Sequence, residues 1–113
     1  MLLSNLEYLP GHRITRQVGL VYGNAIRNKA GKRDMRAHAR NLVAGEVPGY
    51  TDIMSHGRNE AVERMIAQAE HAGANAVINI RLGTASIMND IVEFTAYGTA
   101  VVVQPVASPE AEA

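Results

Sequence analysis

A short loop between Glu70 and Arg81 joins two segments with different hydrophobic periodicity. Before Gly73 the apolar residues recur every three or four positions, as on one face of a helix, and after Asn75 they alternate, as in a strand. Glycine is common directly after a helix because it adopts left-handed backbone angles without a steric penalty. We therefore predict that Gly73 closes a helix and that Asn75 opens a strand.

Alternating apolar residues predict three strands in the chain. The first covers residues 14–22, the second follows Asn75 through residues 77–82, and the third runs from Val92 until Gln104 and Pro105 end it. A turn at residues 88–90, with its adjacent Asn and Asp, is expected to join the last two strands.

Two helices are predicted between the first and second strands. A short one begins at Asp34, a capping residue, and ends near Ala44. A long one runs from about Tyr50 to Ala72, and the spacing of its apolar residues predicts a buried side. The buried side is expected to consist of Met54, Ala61, Val62, Met65, Ile66, Ala69 and Ala72.

The order of these elements predicts an α+β chain with a single domain over residues 1–105 and a disordered tail over residues 106–113. A helical layer on a three-stranded sheet leaves the other face of the sheet open, and such a face often needs a partner. With one phenylalanine and no tryptophan, the chain has few large side chains for a self-sufficient core. Oligomerisation is therefore expected.

The composition limits the cellular compartment, the metal ligands and the binding partners that are compatible with this chain. A formal net charge of zero argues against a surface built as a whole to attract nucleic acid or anionic lipid. The absence of cysteine excludes disulfides and thiolate ligands and is compatible with a reducing cytoplasm. No segment approaches the roughly 20 apolar residues of a membrane span. We expect a soluble cytoplasmic protein without a membrane partner.

Four motifs in order along the chain carry a resemblance to a known family. They are Gly19-Leu20-Val21-Tyr22-Gly23-Asn24-Ala25, Gly45-Glu46 with Tyr50-Thr51, Gly73-Ala74-Asn75-Ala76-Val77 and Ala96-Tyr97-Gly98-Thr99-Ala100-Val101. This set resembles the YbjQ family, also called UPF0145 or DUF74, over most of the chain. The resemblance implies a β-α-β-β subunit similar to the dodecin subunit, with the last strand in the middle of an antiparallel sheet.

The same resemblance implies a ring oligomer, either a homopentamer or two pentamers paired into a decamer. The family carries a heavy-metal-binding label, but it brings no catalytic or ligand motif that transfers residue by residue. Soft metals favour sulfur donors, and this chain has no cysteine. The label therefore leaves the cofactor unknown, with a divalent metal ion as one alternative.

A metal site is one interpretation of the polar side of the long helix. His56, Glu60 and Glu63 lie at positions i, i+4 and i+7, so all three share a helical face and offer ligands that suit zinc. The competing interpretation is a solvated helix face, because charged side chains of both signs are common on exposed helices. Sequence alone favours the solvated face.

An anion-binding site is the second alternative. Residues 27–40 hold six basic residues and one acidic residue, and Arg33, Arg36 and Arg40 are the candidates for contact with phosphate or nucleic acid. The segment has no aromatic side chain for base stacking and no glycine-rich phosphate loop. A solvated or subunit-pairing surface is the favoured interpretation, and a nucleic-acid partner is disfavoured.

The sequence identifies no catalytic residue. Tyr22, Tyr50, Tyr97 and Thr99 are polar residues within or beside the family-like motifs, but they form no nucleophile, base and orienting group in a recognisable pattern. The expectation is an uncharacterised, non-enzymatic oligomeric protein, with metal binding and anion binding as alternatives.

Overall fold

The computed structural model describes residues 1–28 and 48–107, and for 48–52 the backbone alone. The described elements are strand β1 (Leu2–Leu3), strand β2 (His12–Asn28), helix α1 (Pro48–His71), strand β3 (Ala76–Met88) and strand β4 (Ile91–Pro105). The predicted short helix and most of the predicted tail lie outside the described residues. Val106, at the start of that tail, donates a backbone hydrogen bond to Gly11 O at 3.0 Å.

One helix packs on a four-stranded mixed sheet with the order β1-β3-β4-β2. The α+β class and the central position of the last strand are confirmed, but the prediction of a three-stranded antiparallel sheet is wrong. The N-terminus supplies an additional strand, β1, which lies parallel to β3. Leu2 N–H donates to Asn75 O at 3.1 Å, and Ser4 N–H donates to Val77 O at 2.9 Å. A two-residue strand has no readable periodicity, so the sequence did not reveal it.

The junction around Gly73 is confirmed. Gly73 has φ of 89°, and its N–H donates to Glu70 O at 3.0 Å, while Ala74 N–H donates to Ala69 O at 3.0 Å. These bonds satisfy carbonyls that the end of the helix leaves without partners. Asn75 then joins the chain to β4, because its Nδ2 donates to Val103 O at 3.0 Å and its Oδ1 accepts from Val103 N–H at 2.8 Å. Loop and sheet are thereby fixed together.

Small residues allow α1 to lie close to the sheet. Gly57 and Ala61 of the helix are buried over the side chain of Phe94 and the backbone of Gly23. The core between the two layers is formed by Val21, Ala25, Ala61, Met65, Ala69, Ala74, Val77, Val92, Phe94, Ala96 and Ala100.

Most of the predicted buried side of the helix is confirmed. Ala61, Met65 and Ala69 are buried, and the other predicted helix residues before His71 are half-buried. Ala72 is exposed, against the prediction, because the helix ends at His71 and no longer holds Ala72 over the sheet.

A second, smaller core lies on the sheet face opposite α1. Leu9 of the N-terminal segment is buried there with Ala76, Ile78, Val101 and Val103. The N-terminal segment therefore covers one end of this face. Within residues 1–28 and 48–107 there is no helix long and apolar enough to cross a membrane.

Candidate functional site

An open cleft lies between the polar flank of α1 and the end of β2. Its volume is about 600 Å³, and its lining comprises Arg27, His56, Asn59, Glu60, Glu63, Arg64 and Ala67. The helix positions recur every three or four residues, so they share one flank. The structure therefore brings His56, Glu60 and Glu63 to one cleft, as the helical spacing predicted.

Glu60 forms ion pairs with two guanidinium groups. Its Oε2 contacts Nη2 of Arg27, and its Oε1 contacts Nη2 of Arg64. Arg64 also donates from Nη1 to Asn24 O, 2.5 Å away. The carboxylate thus ties the helix to β2 through Arg27, and Arg64 ties it through the backbone of Asn24.

This arrangement does not fit a metal site within one subunit. Both oxygens of Glu60 face a guanidinium, and the charges of Arg27 and Arg64 repel a cation in the same cleft. Nowhere in the described part of the chain do three or more His, Asp or Glu side chains come together as potential metal ligands. Glu60 is a structural ion-pair residue in the subunit as it stands.

The Glu60–Arg64 pair follows from the sequence, because a Glu four residues before an Arg on a helix is a favourable order. The contact with Arg27 could not be predicted, since 32 intervening residues separate it from Glu60 and only the packing of α1 beside β2 brings the two together. Arg33, Arg36 and Arg40 lie outside the described residues, so the anion-binding site stays a prediction.

Replacing Glu60 by glutamine should lower the free energy of unfolding by about 1 kcal/mol, because both guanidinium groups lose their charged partner. The estimate is small because the Glu60 side chain retains 25% of its accessible surface and water screens the pair. Urea denaturation at low and high salt would measure the effect, which should shrink as salt rises. Glu63→Gln is the matched control, since Glu63 forms no ion pair with any described residue, and its effect should stay within about 0.5 kcal/mol.

A larger feature is the part of the sheet face that neither α1 nor the N-terminal segment covers. Four large side chains of β2 and β4 are exposed there: Leu20 (70%), Tyr22 (53%), Ile26 (58%) and Tyr97 (44%). The register places Tyr22 directly opposite Tyr97, and Arg81 of β3 opposite Tyr97 on the other side. The rings of Tyr22 and Tyr97 and the side chain of Leu20 thus lie on the same face of neighbouring strands.

A family model described as "Putative heavy-metal-binding" matches residues 1–104. A UPF0145 protein of Acinetobacter baylyi is 46% identical over 97 residues, which cover 86% of this chain and 90% of that protein. A UPF0145 protein of Thermus thermophilus is 41% identical over 105 residues, covering 93% and 92%.

A crystal structure of a DUF74 family protein of unknown function from Pediococcus pentosaceus is similar with a TM-score of 0.60. It covers 92% of this chain and 98% of that chain at 14% identity, so the likeness concerns the fold alone. Together with the relatives at above 40% identity, the family model fixes the assignment. The chain belongs to the YbjQ family, also known as UPF0145 or DUF74, a family of uncharacterised function.

Proposed function

We propose that this chain is a non-enzymatic subunit of a homo-oligomer, and that the uncovered face of the sheet is its main contact surface. The observation that carries the proposal is the exposure of Leu20, Tyr22, Ile26 and Tyr97 on one face of β2 and β4. Contiguous apolar side chains of this size are unusual on a monomer and mark interaction surfaces. The family resemblance implies a pentamer, and we adopt that stoichiometry in the proposal.

A second copy of the chain is the occupant that explains both the exposed face and the modest core. Phe94, the single phenylalanine, is buried under α1. Tyr22 and Tyr97, in contrast, leave 53% and 44% of their surface exposed within one subunit, so they contribute less to its core. Tyrosine suits a protein interface, because its ring buries apolar surface while its hydroxyl retains a hydrogen bond. Burying this face against another copy would complete the two-sided coverage of the sheet.

Light scattering coupled to size exclusion should give the parent protein a mass near five times the 12.2 kDa of one chain for a single ring, and near ten times for two paired rings. Leu20→Arg should lower that mass to one or two chains at micromolar concentration, because it places a charge within the apolar contact. Leu20 is 70% exposed in the subunit, so the substitution should leave the far-ultraviolet circular dichroism spectrum unchanged.

The matched control is His71→Arg, which adds the same charge to an exposed position at the end of α1, outside both the sheet face and the cleft. The control should retain the mass of the parent. A parent protein that is monomeric at micromolar concentration would refute the proposal, and so would an assembly in which the two arginine variants behave alike.

Metal binding is the second candidate function, supported by the family description and by the position of His56, Glu60 and Glu63 along the lining of one cleft. Because Glu60 is engaged by two guanidinium groups, such a site would need ligands from a second copy beside His56 and Glu63. Zinc titration of metal-free assembled protein by calorimetry tests this, with His56→Ala as the variant. Absence of heat in the parent, or equal heat in the variant, would remove these residues as metal ligands.

A further inference from the structure

The outer edge of β3 is hydrogen-bonded to the N-terminal segment along its first part and has no partner strand among the described residues along its second part. At its beginning the N-terminal segment lies against it, where Asn79 N–H donates to Leu6 O at 2.7 Å and Ile80 N–H donates to Ser4 O at 3.1 Å. Beyond Ile80, no strand among the described residues pairs with this edge, and residues 81–89 are all exposed. The second half of β3 therefore offers a row of backbone groups along an open edge.

The direction in which the backbone N–H and C=O groups of β3 point follows from the hydrogen bond of Ile80 and from the pairing of β3 with β4. Ile80 N–H points away from β4, and alternation along a strand then points the backbone groups of Leu82, Thr84 and Ser86 outward as well. The register from β3 through β4 to β2 extends this alternation to β2. It shows that the backbone groups of Tyr22 and Asn24 point away from β4, out of the opposite edge of the sheet. Independent hydrogen bonds agree: Tyr22 N–H donates to Gln68 Oε1 at 2.8 Å, and Asn24 O accepts from Arg64.

The two outer edges of the sheet are therefore treated differently. Side chains of α1 cap β2 at Tyr22 and Asn24, and irregularities of register interrupt it between Ile14 and Arg16 and between Gln17 and Gly19. Capped and bulged edges resist pairing with another chain. The segment Leu82–Ser86 has no charge, no proline and no irregularity of register inside it. It lacks each of the protections that β2 has.

We propose that the Leu82–Ser86 edge pairs antiparallel with the same edge of a second copy, about a two-fold axis through Thr84. The inference rests on the proposed homo-oligomer and specifies one of its contacts. Thr84 then faces Thr84 of the partner subunit, and Leu82 faces Ser86 of the partner subunit. Each outward-pointing residue donates one backbone hydrogen bond and accepts one, so the open edge is satisfied throughout.

Self-pairing suits the sequence around Thr84. An antiparallel arrangement centred there places Arg81 opposite Ile87 of the partner subunit, so like charges do not meet. The flanking Gly83 and Ala85 are small and present little bulk on the opposite face. A two-fold contact cannot join neighbours inside a five-membered ring, where all contacts are head-to-tail. Within the proposed pentamer this edge therefore joins two rings into a decamer.

A cysteine at the two-fold axis tests the proposal in a chain that has no other cysteine. Directly opposite residues in a hydrogen-bonded antiparallel pair have Cα atoms about 5.5 Å apart, within disulfide range. Mild oxidation of Thr84→Cys should give a covalent dimer in most of the protein. Ala67→Cys is the matched control, with an exposed cysteine on α1, and should crosslink at least tenfold more slowly.

The mass of the unmodified parent separates the two proposals. An assembled parent whose Thr84→Cys variant crosslinks no faster than Ala67→Cys overturns the edge pairing and leaves the homo-oligomer standing. A monomeric parent overturns the homo-oligomer. Residue-resolved hydrogen exchange on the assembled parent gives a readout without substitution: equally slow amides at residues 82–86 support pairing, while alternately fast and slow amides contradict it.

Discussion

Gly23→Ala is expected to lower the free energy of unfolding by about 3 kcal/mol. A Cβ at this position would lie 2.2 Å from Ala61 O and 2.5 Å from Met65 N, both backbone atoms of α1. Backbone cannot turn away as a flexible side chain can, so the helix must move off the sheet. The loss outweighs the gain of roughly 0.4 to 1 kcal/mol that alanine brings by restricting the unfolded chain. Urea denaturation at one fixed protein concentration measures the difference.

Gly83→Ala is the control for this prediction. A Cβ at Gly83 meets nothing within 4 Å, so the same chemical change should alter the free energy of unfolding by less than about 1 kcal/mol. Equal effects at the two glycines would contradict the close approach of α1 to β2.

Phe94→Ala is expected to cost about 3 to 5 kcal/mol, because it leaves a cavity between α1 and the sheet. Phe94 is 1% exposed and is among the largest fully buried side chains in the described core. Thermal or urea unfolding at fixed concentration would show the loss as a lowered midpoint. Phe94→Leu should cost clearly less, since it retains most of the buried volume.

The same ring makes a pairwise test possible. A Cβ at Gly57 would lie 2.3 Å from Cδ2 and Cε2 of Phe94, so Gly57→Ala alone should destabilise the protein by overpacking. Once Phe94→Ala has removed the ring, the added methyl group has space and improves helix propensity. The double variant should therefore be more stable than the sum of the single effects predicts. Strict additivity would show that Gly57 does not pack on Phe94.

Much of the backbone architecture could be predicted from residues that act locally. Gly73 ends the helix because of its own conformational freedom, and the alternation after Asn75 indicates the strand that follows. Ala61, Met65 and Ala69 were recognisable as core residues because helical spacing places them on one side. These features depend on neighbours a few residues apart, where sequence pattern is most informative.

The candidate cleft was predictable only in part. The meeting of His56, Glu60 and Glu63 follows from helix geometry, but their electrostatic setting does not. Arg27 arrives from β2, and its contact converts Glu60 from a candidate metal ligand into the centre of an ion-pair network. Long-range contacts of this kind depend on how a helix is placed on a sheet, which periodicity alone cannot specify.

The sequence pattern predicts the α+β class and the end of the helix at Gly73, and the family resemblance implies the central position of the last strand. The tertiary structure alone decided that β1 adds a parallel strand, that Gln68 and Arg64 cap the edge of β2, and that the second half of β3 has no partner strand in the described chain. Local propensity sets the elements, whereas backbone hydrogen bonds between distant segments determine which edges of the sheet are satisfied. In the described chain, the open part of the β3 edge and the exposed face of the sheet direct the search for function toward assembly.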